Sequence, residues 1–384
     1  MIPANRLPQP KLTLRCGCGI FLLGNMEKNT VLITGGAGFI GSNFIHFLFG
    51  QPTFSGKVIN YDNLTYAGNE GNLEEISSEW QGQRYFFIRG DINDRELLKD
   101  TLLRFKPRAI VNFAAESHVD RSIDAPLVFI DTNVRGTAAL LEEALAYWQA
   151  APAAVRDGFR FLHISTDEVF GTLAETGLFS ETTAYRPNSP YAASKAASDH
   201  LLNAWHRTFG LPVLLTNCSN NYGPYQFPEK LVPLMIINCL HEKPLPVYGQ
   251  GANVRDWLYV ADHCQALWQV LDGGRVGESY TIGGGNELKN IDVVKSICAL
   301  MDELRPRAGG RPHAELISFV SDRPGHDFRY AIDFSKIKNE LGWQPRHDYR
   351  SGLRKTVEWY IGHAAWWQAI QEKKYDLARL GVRK

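Results

Sequence analysis

Neither sign of charge predominates in this chain: 41 Lys and Arg stand against 41 Asp and Glu across 384 residues. A balanced surface has no net field to recruit nucleic acid or an anionic membrane, so neither partner is expected. Cysteine is scarce. The six thiols, Cys16, Cys18, Cys218, Cys239, Cys264 and Cys298, show neither the paired C-x-x-C spacing of a zinc site nor the density of a disulfide scaffold, so no metal is expected and a reducing cytoplasm is. Long apolar runs are missing too. Nothing approaches the roughly 20 residues of a membrane span, and residues 20–23 are too short a run for a signal-peptide core. The expectation is a soluble, cytoplasmic, globular protein with about two domains.

What the chain does have is an alternation of short apolar strands with helical patterns. Residues 30–34 read as a buried strand, Gly35-Gly36-Ala37-Gly38-Phe39-Ile40-Gly41 follows at once, and residues 42–48 continue as a helix. Gly36, Gly38 and Gly41 satisfy G-x-G-x-x-G in the strand–turn–helix setting that the motif needs, and Gly35 opens the turn. Glycines there let the backbone approach a pyrophosphate, and the helix N-terminus offers unpaired N–H groups. The next strand, 57–61, ends at Asp62, where a carboxylate accepts from both ribose hydroxyls and repels a 2′-phosphate, favouring NAD over NADP. A third strand, 85–90, ends at Asp91-Ile92, suited to an adenine, although Asn93 or Asp94 with Glu96 would equally start a helix. A fourth, 109–113, runs into Ala114-Ala115-Glu116-Ser117-His118, small residues beside a cofactor and polar ones toward a substrate. A helix is expected from about 125 to 148, and Asn133 inside it needs partners if buried.

Residues 159–165 read as a strand that stops where Thr166-Asp167-Glu168 begin, placing three polar side chains at the lip of a sheet, where open α/β folds bind ligands. Tyr191 and Lys195 lie four apart on a helix expected to run to about 209, so they share a face. The Lys is expected to lower the Tyr pKa and make tyrosinate available as a base. Such a pair alone is more often inert helix surface; here the glycine turn and Asp62 accompany it. Beyond a strand at 212–216 come polar loops with Lys230, Tyr248 and Arg255, a set suited to a nucleoside diphosphate: cations for phosphates, a ring for a base. The expected fold class is α/β, a doubly wound parallel sheet of Rossmann type with a smaller, mixed α/β C-terminal substrate domain. The expected division is a loose extension over 1–28, an NAD-binding domain over 29–215 to which 257–271 returns as a helix, and a mainly substrate-binding domain over 216–256 and 272–384.

With these residues in hand, the chain resembles the extended short-chain dehydrogenase/reductases that act on nucleotide sugars, and within them the 4,6-dehydratases of dTDP-hexoses. The motifs that carry the resemblance are TGGAGFIGSNF, YDNLTYAGN, NFAAESHVDRSI, STDEVFG, PYAASKAASDH, SNNYGPYQFPEKL, VRDWLYVADHC and DRPGHDFRYAID, in order from about Thr30 to Trp367. It implies NAD contacts at Phe39, Ile40, Asp62, Asn63, Leu64, Thr65, Asp91, Ile92, Ala114, Ala115, Ser117, Thr132, Tyr191, Lys195 and Asn221. It implies substrate contacts at His118, Thr166, Asn220, Lys230, Tyr248, Arg255, Asn290, Arg323 and His326. It also implies a homodimer, paired through helices near 125–148 and 191–209. The chain departs from the family at Phe328, where a basic residue is common, and over residues 1–25, which have no counterpart.

The implied chemistry is loss of water from dTDP-glucose with no net redox change. Tyr191, stabilised by Lys195, takes the 4-hydroxyl proton as hydride leaves carbon 4 for NAD. Glu168 then removes the carbon-5 proton, Asp167 protonates the departing 6-hydroxyl, and Thr166 orients the 4-hydroxyl. Adjacent carboxyls with opposite roles require pKa values pushed apart. The competing readings are a UDP-sugar 4-epimerase, which has no use for Asp167 and Glu168 in proton transfer, and a 4,6-dehydratase of a UDP- or GDP-hexose.

Overall fold

The computed structural model describes residues 29–322 and 324–373; the extension 1–28, with Cys16 and Cys18, and the site candidate Arg323 lie outside the described residues. Six short apolar segments form the centre: β1 (Thr30–Thr34), β2 (Lys57–Asp62), β3 (Tyr85–Arg89), β4 (Ala109–Asn112), β5 (Arg160–Thr166) and β6 (Val213–Cys218). Alternate residues of these strands feed opposite cores, as the strand's period of two requires when both faces are covered. Val31, Ile33 and Val111 pack on one side with Leu162 and Leu214, while Leu32, Ile110, Phe161 and Val213 pack on the other.

Beyond the sixth strand come β7 (Asn220–Tyr222), β8 (Leu245–Tyr248), β9 (Val254–Tyr259), β10 (Ser279–Ile282), β11 (Glu287–Lys289) and β12 (Ile317–Val320). Of these, β10 returns to the main sheet, whose order is β10-β6-β5-β4-β1-β2-β3, with every pair parallel. This is the doubly wound Rossmann-type sheet, and the order reverses between β1 and β4, the switch point where such sheets bind ligands. The other strands form a three-stranded sheet, β11-β9-β7, and a pair, β12-β8. They and the helices Leu231–Leu240, Asn290–Leu304 and Tyr349–Gly362 surround a second core, into which Trp367 is buried, with Trp359 and Trp366 packed at its margin. No helix among the described residues is long and apolar enough to cross a membrane.

Two expected elements differ. The single helix over 125–148 is interrupted: Val119–Asp124 and Pro126–Phe129 lead into a π-turn segment, Ile130–Gly136, before the α-helix Thr137–Ala150. The widened turn coincides with Asn133, whose amide bonds a neighbouring segment, and with Gly136, where a Cβ would come within 2.7 Å of Ile92. Residues 257–259 are strand, not helix, because they pair with β7; the helix that follows is Val260–Gly273.

Candidate active site

The crevice opens at the carboxyl ends of the central strands. After β1 the chain turns at Gly35 (φ 68°), where a Cβ would stand 2.6 Å from the backbone nitrogen of Ala114 after β4. A Cβ on Gly41 would collide with the Gly35 carbonyl, so only glycine allows this close turn into the helix Phe39–Phe49. That helix has no acidic residue in its first turn, leaving its positive dipole end open to an anion. Asp62, at the end of β2, accepts from Ala37 N–H at 2.9 Å and from Leu64 N–H at 2.7 Å; this second bond holds Leu64 in its left-handed conformation (φ 55°). Asp91 accepts from the Asn63 amide at 2.9 Å and from Asn93 N–H at 2.8 Å. Helix capping falls instead to Asp94, which accepts from Leu97 N–H at 3.1 Å, so the two acids divide the roles that the sequence left open. Gly38, Phe39, Ile40, Asn63, Thr65, Ile92, Ala114, Ala115, Ser117 and Thr132 line the same cleft. Leu64 contributes backbone and is not among the lining side chains. These residues fit NAD: a glycine cradle that side chains would fill, and a carboxylate at the end of the second strand.

Thr166, Asp167, Glu168, Tyr191 and Lys195 line the cleft's other end. Ser189 caps the helix Pro190–Phe209 by accepting from Ala192 N–H, which fixes the helix start and sets Tyr191 and Lys195 against the sheet, both buried. Thr166 ends β5 and turns it: its hydroxyl accepts from Glu168 N–H at 3.2 Å and lies 3.3 Å from Asp167 Oδ1 as donor. Asp167 is 2% exposed. Burial, and next the adjacent Glu168, push its carboxyl well above the usual carboxylate range, against the smaller pull of Arg255. Its Oδ2, like Oδ1 of Asn220 and of Asn290, is buried with no hydrogen-bond partner among the described residues. Asp167 and Asn220 line the cleft, and Asn290 does not.

The Tyr–Lys pair departs from expectation. The Tyr191 phenol is held well above its ordinary value, by burial first and the Glu168 charge second. Lys195 donates to the Ile164 carbonyl at 2.9 Å, and burial pulls its ammonium below the ordinary lysine value. Desolvation and the Glu168 charge raise the tyrosine by more than the Thr166 hydrogen bond lowers it. Asn133, buried, accepts from Glu116 N–H and donates to the Glu116 carbonyl, each at 2.9 Å, and donates to the Ser194 hydroxyl at 2.8 Å. It thus ties the strand-β4 loop to the helix that carries Tyr191 and Lys195.

The remaining substrate candidates, with the cofactor candidate Asn221, separate into two groups. Asn220, Asn221 and Lys230 line the cleft; Lys230 donates to the Ser117 carbonyl at 3.2 Å, and Asn221 Oδ1 pairs with His263 at 2.9 Å. His118, Tyr248, Arg255, Asn290 and His326 are not on the cleft's lining and gather beyond it. Tyr248 donates to Asp120 at 2.9 Å and its ring lies 6.2 Å from that of His326. Arg255 stands over Tyr330 at 4.1 Å and donates to the Asp327 carbonyl at 2.9 Å, which Asn253 also bonds; Asn253 in turn accepts from Asn290 N–H through its carbonyl. Phe328 is exposed.

Glu116, in the stretch expected to meet cofactor and substrate, lines the cleft, and so do Cys218, Gln226, Phe227 and Glu229, which carry no expected role. Glu229 holds Arg121 at 3.0 Å and faces His118 at 3.9 Å. Burial raises the carboxyls of both Glu116 and Glu229. Glu229 stands beside Lys230 in the loop after β7, and that adjacency does not by itself mark it as a lining residue.

Residues 32–356 match the family described as GDP-mannose 4,6 dehydratase. The chain is 56% identical over 353 residues to a dTDP-glucose 4,6-dehydratase of Xanthomonas campestris pv. campestris (strain B100), covering 92% of this chain and 99% of that protein. It is similar to the crystal structure of dTDP-glucose 4,6-dehydratase from Bacillus anthracis in complex with NAD, at a TM-score of 0.78 and 44% identity, over 89% of this chain and 99% of that one. Similarity to a UDP-glucose 4-epimerase of Thermotoga maritima is lower in sequence, 26%, with a TM-score of 0.75 over 87% of this chain and 99% of that one.

Proposed function

Because the chain belongs to the family of dTDP-glucose 4,6-dehydratases, we propose that it is an NAD-dependent lyase that converts dTDP-glucose to dTDP-4-keto-6-deoxyglucose with loss of water. The observation that carries the reading is Asp167, a buried carboxyl directly beside Glu168 on the cleft and pushed by burial well above the usual carboxylate range: a proton donor and an acceptor at one point of the sheet's lip, which dehydration uses and epimerisation does not. The fall in identity from 56% to 26% between dehydratase and epimerase relatives favours the same choice.

Bound NAD supplies the hydride acceptor for carbon 4 and returns the hydride to carbon 6. When bound, it would be held by Gly35 to Gly41 at its pyrophosphate and by Asp62 at its ribose, with Lys195 and Tyr191 available at its reacting end. Tyr191 takes the proton of the 4-hydroxyl, and Thr166 orients that hydroxyl. The 4-ketone acidifies carbon 5, Glu168 removes that proton, Asp167 delivers its own to the departing 6-hydroxyl, and once hydride has reached carbon 6 Glu168 returns its proton to carbon 5. Asn220, Lys230, Tyr248, Arg255, Asn290, His118, His326 and Arg323 hold the nucleoside diphosphate and sugar.

A homodimer is part of the proposal. Leu127, Val128 and Ile130 are exposed in the segment Pro126–Gly136, an apolar face that a second copy would cover. A cytoplasmic location is supported by the four described cysteines, all buried and free. The test is incubation with dTDP-glucose and with UDP-glucose. The 4-keto-6-deoxy product is expected from the first and no epimer from the second; the reverse result overturns the reading.

A further inference from the structure

We infer that Asp199 is a positioning residue for the oxidation step, a buried carboxylate that balances the Lys195 ammonium and keeps it protonated beside Tyr191. The inference rests on the roles given above to Tyr191 and Lys195. Tyr191, Lys195 and Asp199 recur every four residues on the helix Pro190–Phe209, so they lie along one face, and all three are buried. Lys195 has a protein carbonyl, that of Ile164, as hydrogen-bond acceptor, but a carbonyl carries no compensating charge.

Asp199 has the bonding of an ionised group. Its Oδ2 accepts from the Ser165 hydroxyl at 2.8 Å, the Tyr185 hydroxyl at 3.0 Å and the Asn217 amide at 3.3 Å. Three donors converging on one oxygen suit an acceptor-only carboxylate. Oδ1 has no hydrogen-bond partner and faces His163 Nε2 at 3.6 Å, which itself lies 3.3 Å from Lys195 Nζ. His163 Nδ1 meets the Asn112 amide nitrogen at 2.9 Å, while Asn112 Oδ1 is occupied by the Thr34 hydroxyl. Nδ1 is therefore the acceptor, and Nε2 carries the proton of a neutral ring.

The other titratable groups around this helix face are neutral or stand elsewhere. Burial pushes the Cys218 thiol up to about 12 and raises the Tyr185 phenol. Burial and Lys195 push the His163 imidazole well below its ordinary value, toward the neutral ring, and burial pushes the Asp167 carboxyl well above its own. Glu168 acts on Tyr191, whereas the carboxylate that raises Lys195 is Asp199. Burial brings the Asp199 carboxyl up to about 6, and Lys195 with the Ser165, Tyr185 and Asn217 hydrogen bonds pulls it the other way, toward the ionised form that its bonding suits.

The test measures single-turnover formation of reduced cofactor from dTDP-glucose across pH, together with the melting temperature, in wild type, Asp199→Asn, Lys195→Met and the double variant. Loss of the negative charge lowers the proton affinity of both Tyr191 and Lys195. Both limbs of the pH profile therefore move to lower pH by about one unit, with ~tenfold slower oxidation at the alkaline end. A merely structural role slows the reaction equally at every pH; limbs that stay in place overturn the inference. If Asp199→Asn does not fold, removing both charges should recover stability, because a lone buried charge is the destabilising species. A double variant as unstable as the single one also overturns it. Wild type that forms no reduced cofactor is a different failure: it removes the roles of Tyr191 and Lys195 and this inference with them.

Discussion

The two halves of the site are built differently. At the strand ends, from Gly35 to Lys195, most polar groups are locked by the protein itself: Asp62 by two backbone amides, Asn133 by Glu116 and Ser194, Lys195 by Ile164, with Asp167 Oδ2 left unpartnered. On the loops beyond β6, the candidates hold mostly backbone carbonyls and one another, as Arg255 and Asn253 do at Asp327, and the amide oxygens of Asn220 and Asn290 have no partner. The first half is prepared for chemistry, which needs fixed geometry before substrate arrives. The second is prepared for binding, where the ligand completes the hydrogen bonds.

Variants in the first half should therefore change rate. The largest effects are expected for Tyr191→Phe and Glu168→Gln, each losing ~10²–10⁴ of turnover, but at different steps. Tyr191→Phe stops formation of reduced cofactor; Glu168→Gln forms it and then stalls before water is lost. Stopped-flow absorbance of the cofactor, paired with product assay, separates them, and identical behaviour of the two breaks the division of labour.

Asp167→Asn tests the raised carboxyl through stability. Its folded pKa lies well above the ordinary 3.8, so above pH 3.8 the folded wild type retains a proton that the unfolded chain releases. That penalty grows with pH until the folded pKa is reached, by about 1.4 kcal/mol per pH unit. The variant should melt higher than wild type at neutral pH, with the difference vanishing on acidification below the ordinary value, while dehydration is lost. A pH-independent difference in melting temperature contradicts a protonated Asp167. Asn133→Ala comes next, costing about 1–3 kcal/mol through the buried groups it leaves unpaired, read as a lowered melting temperature. No loss of stability would mean that the tie between the β4 loop and the catalytic helix is dispensable.

The same contrast decides what the sequence could disclose. Strand-end residues are found by spacing, because a strand's last residue and a helix's i, i+4 pair have fixed places: the glycine turn, Asp62, Thr166, Tyr191 and Lys195 all face one cleft. Glu229 and Asp199 were not legible as site residues. Glu229 reaches the cleft through a loop whose course no local pattern specifies, and Asp199 matters only through the buried partners that folding brings to it. The direction of the Tyr191 shift was misjudged for a related reason. Adjacency to Lys195 is visible in sequence, whereas full burial and the approach of Glu168 are properties of the packed site.

The smallest effect is expected in the second half. Arg255→Lys keeps the charge but loses the planar fork that reaches the carbonyls of Val254 and Asp327 over the Tyr330 ring. If this half only binds, KM for dTDP-glucose rises ~tenfold, equivalent to about 1.4 kcal/mol, and kcat is unchanged, because the interaction is the same in ground and transition states. A fall in kcat at unchanged KM would show instead that Arg255 acts on the chemistry. The route is available, since its charge is one of the influences that lower the Asp167 pKa. In that case the two halves form one electrostatic unit, and the boundary between prepared chemistry and ligand-completed binding has to be drawn on the far side of Arg255.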